Sequence, residues 1–165
     1  MKVPVSWLKD FVDLENVTIE QLCGALVSVG FEVEETVELG KEISNVVVGE
    51  ILSMEKHPDA DKLKVCEVNV GKEILQIVTA ATNVKKGDKI PLALNGATLA
   101  GGTVIKNGKL RGVASNGMMC GGEELGVCDD QYPGASVDGV LILDQSEEVG
   151  RDIKAVVGLD EWVLD

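Results

Sequence analysis

The sequence predicts a mainly β protein with an α/β flank, in which a small closed barrel of five strands is inserted into a small α/β domain. Hydrophobic residues make up 45% of the chain but aromatic residues only 3%, so the core is built from aliphatic side chains that suit strands and short helices. Short β-type runs follow one another between residues 46 and 121, separated by turn signals. The last residues also have a strand pattern, and a strand there needs a partner elsewhere in the chain.

The first 39 residues contain the elements of the α/β flank. VPV (residues 3–5) predicts a short strand, and SWLKDFVDL (6–14) spaces its apolar residues as a helix does. The capping-box pattern from Thr18 to Gln21 predicts the start of a second helix. FEVEETVEL (31–39) alternates like a strand. This piece is too small to bury a core by itself.

The predicted barrel strands are joined by glycine-containing connections. The five runs are VVVGEILSMEK, LKVCEVNVG, ILQIVTAAT, KIPLALN and VASNGMMCG. Asn-Gly dipeptides at 95–96, 107–108 and 116–117 favour tight turns between strands.

The end of the chain predicts a return to the α/β flank. VLIL (140–143) has the pattern of another strand, EVGRDIKAVVG (148–158) that of a short helix, and EWVLD (161–165) that of a final strand. The simplest partner for the final strand is the N-terminal piece, which makes the barrel an insertion. The alternative is a frayed tail.

Composition and motifs exclude several classes of protein. No stretch has the roughly 18 apolar residues of a membrane span, and the first residues lack a signal peptide, so we expect a cytoplasmic protein with no membrane partner. The four cysteines form no CxxC pair and, with a single histidine, do not match zinc spacing, which predicts buried, reduced thiols. No catalytic triad, phosphate-binding loop or dinucleotide fingerprint is present, so we predict no catalytic residues and no cofactor.

Charge is distributed unevenly along the chain. The net charge of −13 argues against nucleic acid at first, because phosphate binding needs clustered Lys and Arg. Residues 56–111, however, carry ten basic and five acidic side chains, whereas residues 112–165 carry two and twelve. Basic charge is therefore concentrated in the predicted barrel.

The stretch HPDADK (57–62) opens this basic segment and contains the only histidine, His57. Pro58 cannot continue a strand ladder and Asp59 suits a turn, so we predict a structured connection between the first two barrel strands. It is either part of a ligand-binding face, with Lys62 and Lys64 directed at phosphates, or a solvated turn of mixed charge. A metal site is a third interpretation, but the stretch lacks the further ligands that a cation needs.

The stretch SNGMMCGGEELG (115–126) is the second unusual segment. Methionines in a strand are usually core residues, but here Ser115 and Asn116 could also offer hydrogen bonds at the barrel surface beside Arg111. All five aromatic residues lie outside the predicted barrel strands, so base stacking is not available there. Contacts to the backbone and shape of folded RNA are therefore favoured.

The blocks HPDADKLKVCEVNVG, IVTAATNVKKGDKIPLALNGATL and KLRGVASNGMMCGGEELG, in this order, resemble the tRNA-binding barrel shared by several synthetases and tRNA-binding proteins. This is the oligonucleotide-binding (OB) fold domain related to the EMAP II cytokine. MKVPVSWLKDFVDL, the following helix and GFEVEE resemble the start of bacterial phenylalanyl-tRNA synthetase beta subunits. The resemblance covers nearly the whole chain.

The resemblance implies a five-stranded OB-fold barrel over residues 40–148, inserted into a small α/β domain formed by residues 1–39 and 149–165. It implies an N-terminal fragment whose partners are tRNA, the rest of the beta subunit and the alpha subunit of a heterotetramer, with no DNA. Catalysis, with ATP and magnesium, would lie elsewhere in the synthetase. His57 and Pro58 would shape the loop, and the implied RNA contacts are Lys62, Lys64, Asn83, Lys85, Lys86, Arg111, Ser115 and Met118.

Two functions remain open. One is an accessory tRNA-binding module that contacts the tRNA backbone through a basic strip. The other is an assembly element of the synthetase with little RNA contact, which the acidic flanks and missing aromatics favour. The sequence departs from the family pattern at TAAT (79–82) and at GGEE (121–124).

Overall fold

The computed structural model describes all 165 residues, which divide into two compact units. Residues 1–40 and 160–165 form the smaller unit, and residues 41–159 form the larger one. In chain order the elements are β1 (Val3–Pro4), α1 (Val5–Lys9), α2 (Ile19–Ser28), β2 (Thr36–Glu38), β3 (Ser44–His57), β4 (Ala60–Asn69), β5 (Ile74–Thr79), β6 (Lys89–Thr98), β7 (Gly108–Leu110), β8 (Val113–Ser115), β9 (Met118–Met119), α3 (Gly122–Leu125), α4 (Ile153–Val157) and β10 (Trp162–Leu164). No helix is long and apolar enough to cross a membrane.

The smaller unit is a three-stranded antiparallel sheet with two helices. Its strand order is β1-β10-β2, so the final strand lies in the middle, paired on both sides. The prediction that the last strand pairs with the N-terminal piece is thus confirmed. The predicted capping box is also present: the Thr18 hydroxyl accepts from Gln21 N, and the Gln21 side chain accepts from Thr18 N. The strand predicted over residues 31–39 is shorter, since only Thr36–Glu38 pairs with β10.

The larger unit contains a five-stranded antiparallel sheet with the order β5-β4-β3-β6-β9. All five predicted runs contribute a strand, although the last one is split between β8 and the two-residue β9. No ladder joins the edge strands β5 and β9, so the sheet itself is not closed. The end of β8 and the residue that follows it nevertheless reach β5: Val78 N donates to the Ser115 hydroxyl at 3.0 Å, and Asn116 N donates to Gln76 O at 2.8 Å.

Residues 140–143 do not form the predicted strand. Leu141 N donates to Cys120 O and Leu143 N donates to Lys89 O, which makes contacts to two different segments. The segment crosses from one to the other instead of running beside a single strand, so no continuous ladder develops.

The second boundary between the units lies later than the position predicted after residue 148. Gly150 N donates to Val48 O, and Ile153 and Val157 of α4 are fully buried in the same core cluster as Val48. The helix therefore belongs to the larger unit, because its apolar face completes that core.

Candidate nucleic-acid interface

His57 joins two turns of the larger unit. Its side chain is only 5% exposed, and its Nε2 lies 2.9 Å from Leu110 O. Its Nδ1 accepts a hydrogen bond from Asp59 N at 3.0 Å. Because Nδ1 is the acceptor, a neutral ring carries its proton on Nε2 and donates it to the Leu110 carbonyl. The imidazole thus closes the β3–β4 turn around itself and fixes that turn to the end of β7.

The ladder between β3 and β4 is irregular next to His57. Lys56 pairs with Lys64, but the next pair is His57 with Ala60, so three residues of β4 have no partner on β3. Lys62 is at the centre of this bulge and is exposed. Bulges of this kind redirect side chains and are common beside functional sites.

The β7–β8 hairpin brings further positive charge to the same place. Its two-residue turn, Arg111 and Gly112, has positive φ at both positions (51° and 83°), as a type I′ turn requires. Lys109 and Arg111 flank Leu110, whose carbonyl His57 binds. We define the cationic corner as Lys56, Lys62, Lys64, Lys109 and Arg111.

The side chains of the cationic corner have no acidic partner. The chain forms only two ion pairs, one between the N-terminus and Asp165 and one between Arg151 and Glu147. None of the five corner residues is within 4.0 Å of a carboxylate, although the chain contains 28 acidic side chains. The corner is therefore free to bind an anion.

Two predicted RNA-contact residues lie apart from the corner. Lys85 and Lys86 are exposed in the β5–β6 loop, which is fixed beside Ile51 by hydrogen bonds from Gly87 N to Ile51 O and from Ile51 N to Asp88 O. His57 lies six residue steps along β3 from Ile51, or about 20 Å at the usual rise of a strand. The predicted strip is thus two separate groups of cations.

Three other predicted contacts have structural partners of their own. The Asn83 amide donates to Val140 O at 2.7 Å and accepts from Val140 N at 3.1 Å, as a strand residue would. The Ser115 hydroxyl is buried, accepts from Val78 N and donates to Gly117 O. Met118 is half-buried and packs against the core.

Two residues of the corner were not singled out from the sequence. Lys56 becomes a candidate only through its pairing with Lys64, and Lys109 only through the hydrogen bond that fixes the hairpin to His57. A usable signal was present in both cases, since Lys56 immediately precedes His57 and Lys109 lies two residues before Arg111.

A groove of about 590 Å³ lies near the end of β5, and it has the opposite charge. Its lining includes Thr79 and the acidic side chains of Glu123, Glu124 and Asp138. Three carboxylates with no lysine or arginine among the lining residues disfavour a phosphate. The groove is therefore not a candidate phosphate site.

The thiols offer no reactive group at the interface. Burial raises the pKa of the Cys66 thiol, and burial together with the nearby Glu124 carboxylate raises that of Cys120 to about 12. The prediction of buried thiols is right for these two but wrong for Cys128, which is exposed, while Cys23 is half-buried. No group of three or more His, Cys, Asp or Glu side chains has a geometry suited to a metal ion.

Known proteins match this chain over its whole length. Residues 46–152 match the family described as "Putative tRNA binding domain". The phenylalanine–tRNA ligase beta subunits of Clostridium acetobutylicum and Clostridium tetani are 53% and 49% identical over 166 residues, covering 100% of this chain and 20% of each relative. The resemblance predicted from the sequence is thereby confirmed, and the chain spans about a fifth of the length of these relatives.

Likeness to solved structures is more distant. The MetRS-related protein from Pyrococcus horikoshii is 22% identical, with 64% of this chain and 85% of that chain covered and a TM-score of 0.45. Membership rests instead on the family match, which includes both turns that form the cationic corner. The chain belongs to the tRNA-binding domain family.

Proposed function

We propose that this chain is an accessory tRNA-binding module of a phenylalanine–tRNA ligase beta subunit, and that it contacts the tRNA backbone through the cationic corner. The observation that supports this most is the gathering of five cations without acidic partners around one buried histidine, in a chain of net charge −13. Side chains of that kind are what phosphate contacts require.

The curated relatives support the assignment to the synthetase. They are named as ligase beta subunits, and this chain spans about a fifth of them, so we assign aminoacylation, ATP and magnesium to the remaining parts. The other partners would be the rest of the beta subunit and the alpha subunit of a heterotetramer in the cytoplasm.

We also infer that the larger unit is an OB-fold barrel inserted into the smaller α/β unit. Its five-stranded sheet has the strand number of that fold. The hydrogen bonds that Ser115 and Asn116 make with β5 support closure, because they join the end of β8 and the residue after it to the opposite edge of the sheet.

Fluorescence anisotropy with transfer RNA tests the proposal. We would compare the chain with its Lys62→Ala/Lys64→Ala/Arg111→Ala variant at low salt and near 0.2 M. Three phosphate contacts predict a log–log salt slope of about −2, at roughly −0.7 per contact. We expect weak, salt-sensitive binding that the triple variant abolishes.

A charge-matched control separates the corner from overall charge. Lys41, Lys72 and Lys154 belong to the larger unit but lie outside the corner, and replacing them with alanine changes the net charge equally. Equal losses in both triple variants would show that the corner is not the binding site. No binding by the unaltered chain at low salt would overturn the proposed function.

A second candidate function, assembly within the synthetase, is favoured by the smaller unit. Eight of the twelve exposed large hydrophobic side chains belong to its 46 residues, among them Trp7, Phe11 and Phe31, which are 62%, 86% and 64% exposed. Such apolar exposure is typical of surfaces that another protein covers.

Subunit association separates the two candidates. If the unit serves assembly, Trp7→Ser/Phe31→Ser in the whole synthetase should weaken association in sedimentation velocity and leave the salt slope for tRNA unchanged. Unchanged association would remove the second candidate.

A further inference from the structure

The register of β3 and β4 places two cations directly opposite each other. Lys56 is the cross-strand partner of Lys64, and Lys64 also pairs with Thr79 on β5. In such antiparallel pairs the Cβ atoms are about 4.5–5.5 Å apart, and like charges directly opposite destabilise the sheet. In the free protein this pair therefore lowers the stability of the sheet, which a lysine without a like charge opposite it would not do.

Strand alternation keeps acidic groups away from the pair. Lys64 is two residues from the fully buried Cys66, so both side chains lie on the same face of β4. Cys66 lies in the core on that face, whereas Lys64 is only half-buried. Glu55 and Glu67 lie on the opposite side of their strands, and Glu67 there accepts a hydrogen bond from the Ser53 hydroxyl. The two cations share one face, and the neighbouring carboxylates share the other.

The surroundings of the pair favour an elongated anion over a free ion. Lys64 is half-buried and Lys56 is exposed, which leaves the pair open on the solvent side. Next to Lys56, His57 fixes the hairpin that carries Arg111. Positive charge thus continues beyond the pair, as along a nucleic-acid backbone.

We propose that Lys56 and Lys64 together hold one phosphodiester of the bound RNA, each donating from its ammonium group to a phosphate oxygen. The inference rests on the proposed function and specifies it, because it names the pair that makes the central contact. The phosphate adds two attractive contacts that offset the repulsion between the two ammonium groups, so the arrangement that is unfavourable without RNA becomes favourable with it.

The effect of the Lys56–Lys64 pair on thermal stability can be measured without RNA. Lys56→Gln removes one charge and keeps most of the side-chain length, so we expect its Tm in low-salt buffer without phosphate to rise by about 1–2 °C. Inorganic phosphate should raise the Tm of the unaltered chain more than that of Lys56→Gln. Lys72→Gln is the matched control, because Lys72 is exposed beyond the other end of β4.

Anisotropy with transfer RNA completes the test. We expect Lys56→Gln to lower affinity several-fold and to reduce the magnitude of the salt slope by at most about 0.7, because one of the two lysine contacts to the shared phosphate is lost. Lys56→Arg should retain binding, since it keeps the charge, and Lys72→Gln should leave both quantities unchanged.

The outcomes distinguish the inference from the proposed function. If the unaltered chain binds tRNA, and Lys56→Gln matches Lys72→Gln in affinity, slope and phosphate response, the pair is not a phosphate site while the function stands. If the unaltered chain binds no tRNA at low salt, the proposed function is overturned and the inference fails with it.

Discussion

Replacing His57 with alanine should lower both the stability of the larger unit and its affinity for tRNA. The change removes hydrogen bonds of 2.9 Å to Leu110 O and 3.0 Å from Asp59 N, and it empties a site that is only 5% exposed. At roughly 1 kcal/mol net for each bond, the free energy of unfolding should fall by about 2 kcal/mol. Both backbone groups belong to exposed residues, where water can replace the ring, so the loss should not be much larger. For a domain of this size the Tm should fall by about 4–8 °C.

The same substitution separates positioning from charge in the cationic corner. His57→Ala removes no positive charge from a neutral ring, so the salt slope for tRNA should stay near its original value while affinity falls. His57→Gln is the control, because its amide can still donate to Leu110 and should recover part of the stability. Thermal unfolding and anisotropy measure the two effects. A Tm within 1 °C of the unaltered chain, or full tRNA affinity at reduced stability, would refute the reasoning.

Three further tests, which use four substitutions, probe local contacts by thermal or urea unfolding. Thr18→Ala removes the capping-box acceptor of α2 and should cost about 1 kcal/mol; an unchanged stability would mean that the cap contributes nothing. Gly122→Ala places a Cβ against a backbone carbonyl and should cost at least about 1–3 kcal/mol, whereas Gly24→Ala in α2, with open space around it, should stabilise by about 0.5–1 kcal/mol; similar values would contradict the packing argument. Asn83→Ala loses both bonds to Val140, so we expect a loss of about 1–3 kcal/mol and no change in the salt slope for tRNA; a reduced slope would restore Asn83 as an RNA contact.

Local patterns were sufficient to predict most of the fold. Alternation identified the strands of the larger unit because this signal lies within a few neighbouring residues. The turn predicted at the Asn-Gly dipeptide 95–96 was wrong, since both residues lie inside β6. The capping box of α2 is likewise contained within Thr18 to Gln21. The pairing of β10 could be predicted because the backbone N–H and C=O groups of a strand need hydrogen-bond partners. In the structure β1 and β2 supply them.

The partners of the site residues could not be predicted in the same way. His57 binds a carbonyl 53 residues away, and Asn83 binds a backbone segment 57 residues away. No local pattern encodes such contacts. Asn83 therefore resembled a free surface amide in the sequence, and Lys56 resembled one more lysine until the register placed it opposite Lys64.

The packing around Gly122 could not be predicted from the sequence either. The GGEE stretch is a departure from the family pattern, and the sequence offered no reason for two adjacent glycines there. In the structure a Cβ at Gly122 would overlap the Ala135 carbonyl oxygen, and one at Gly121 would overlap that of Gly139. The backbone of residues 135–139 lies too close to the start of α3 for a side chain at either glycine, and this approach becomes visible only in three dimensions.

The charge arrangement explains how an acidic chain can contact a polyanion. At physiological ionic strength charges interact over roughly 8 Å, so the cations within that distance of a phosphate determine the contact, and net charge matters mainly during approach. On β3 and β4 the alternation directs Glu55 and Glu67 to one side and Lys56 and Lys64 to the other, which separates attraction from repulsion within a single pair of strands. The excess of acidic groups elsewhere should slow encounter with free tRNA and lower affinity for the isolated chain. Attachment to a synthetase that already holds the tRNA would remove this penalty, because the contact then forms at a high effective concentration. A module of this composition is therefore suited to supplementing other tRNA contacts, and it is poorly suited to capturing tRNA alone.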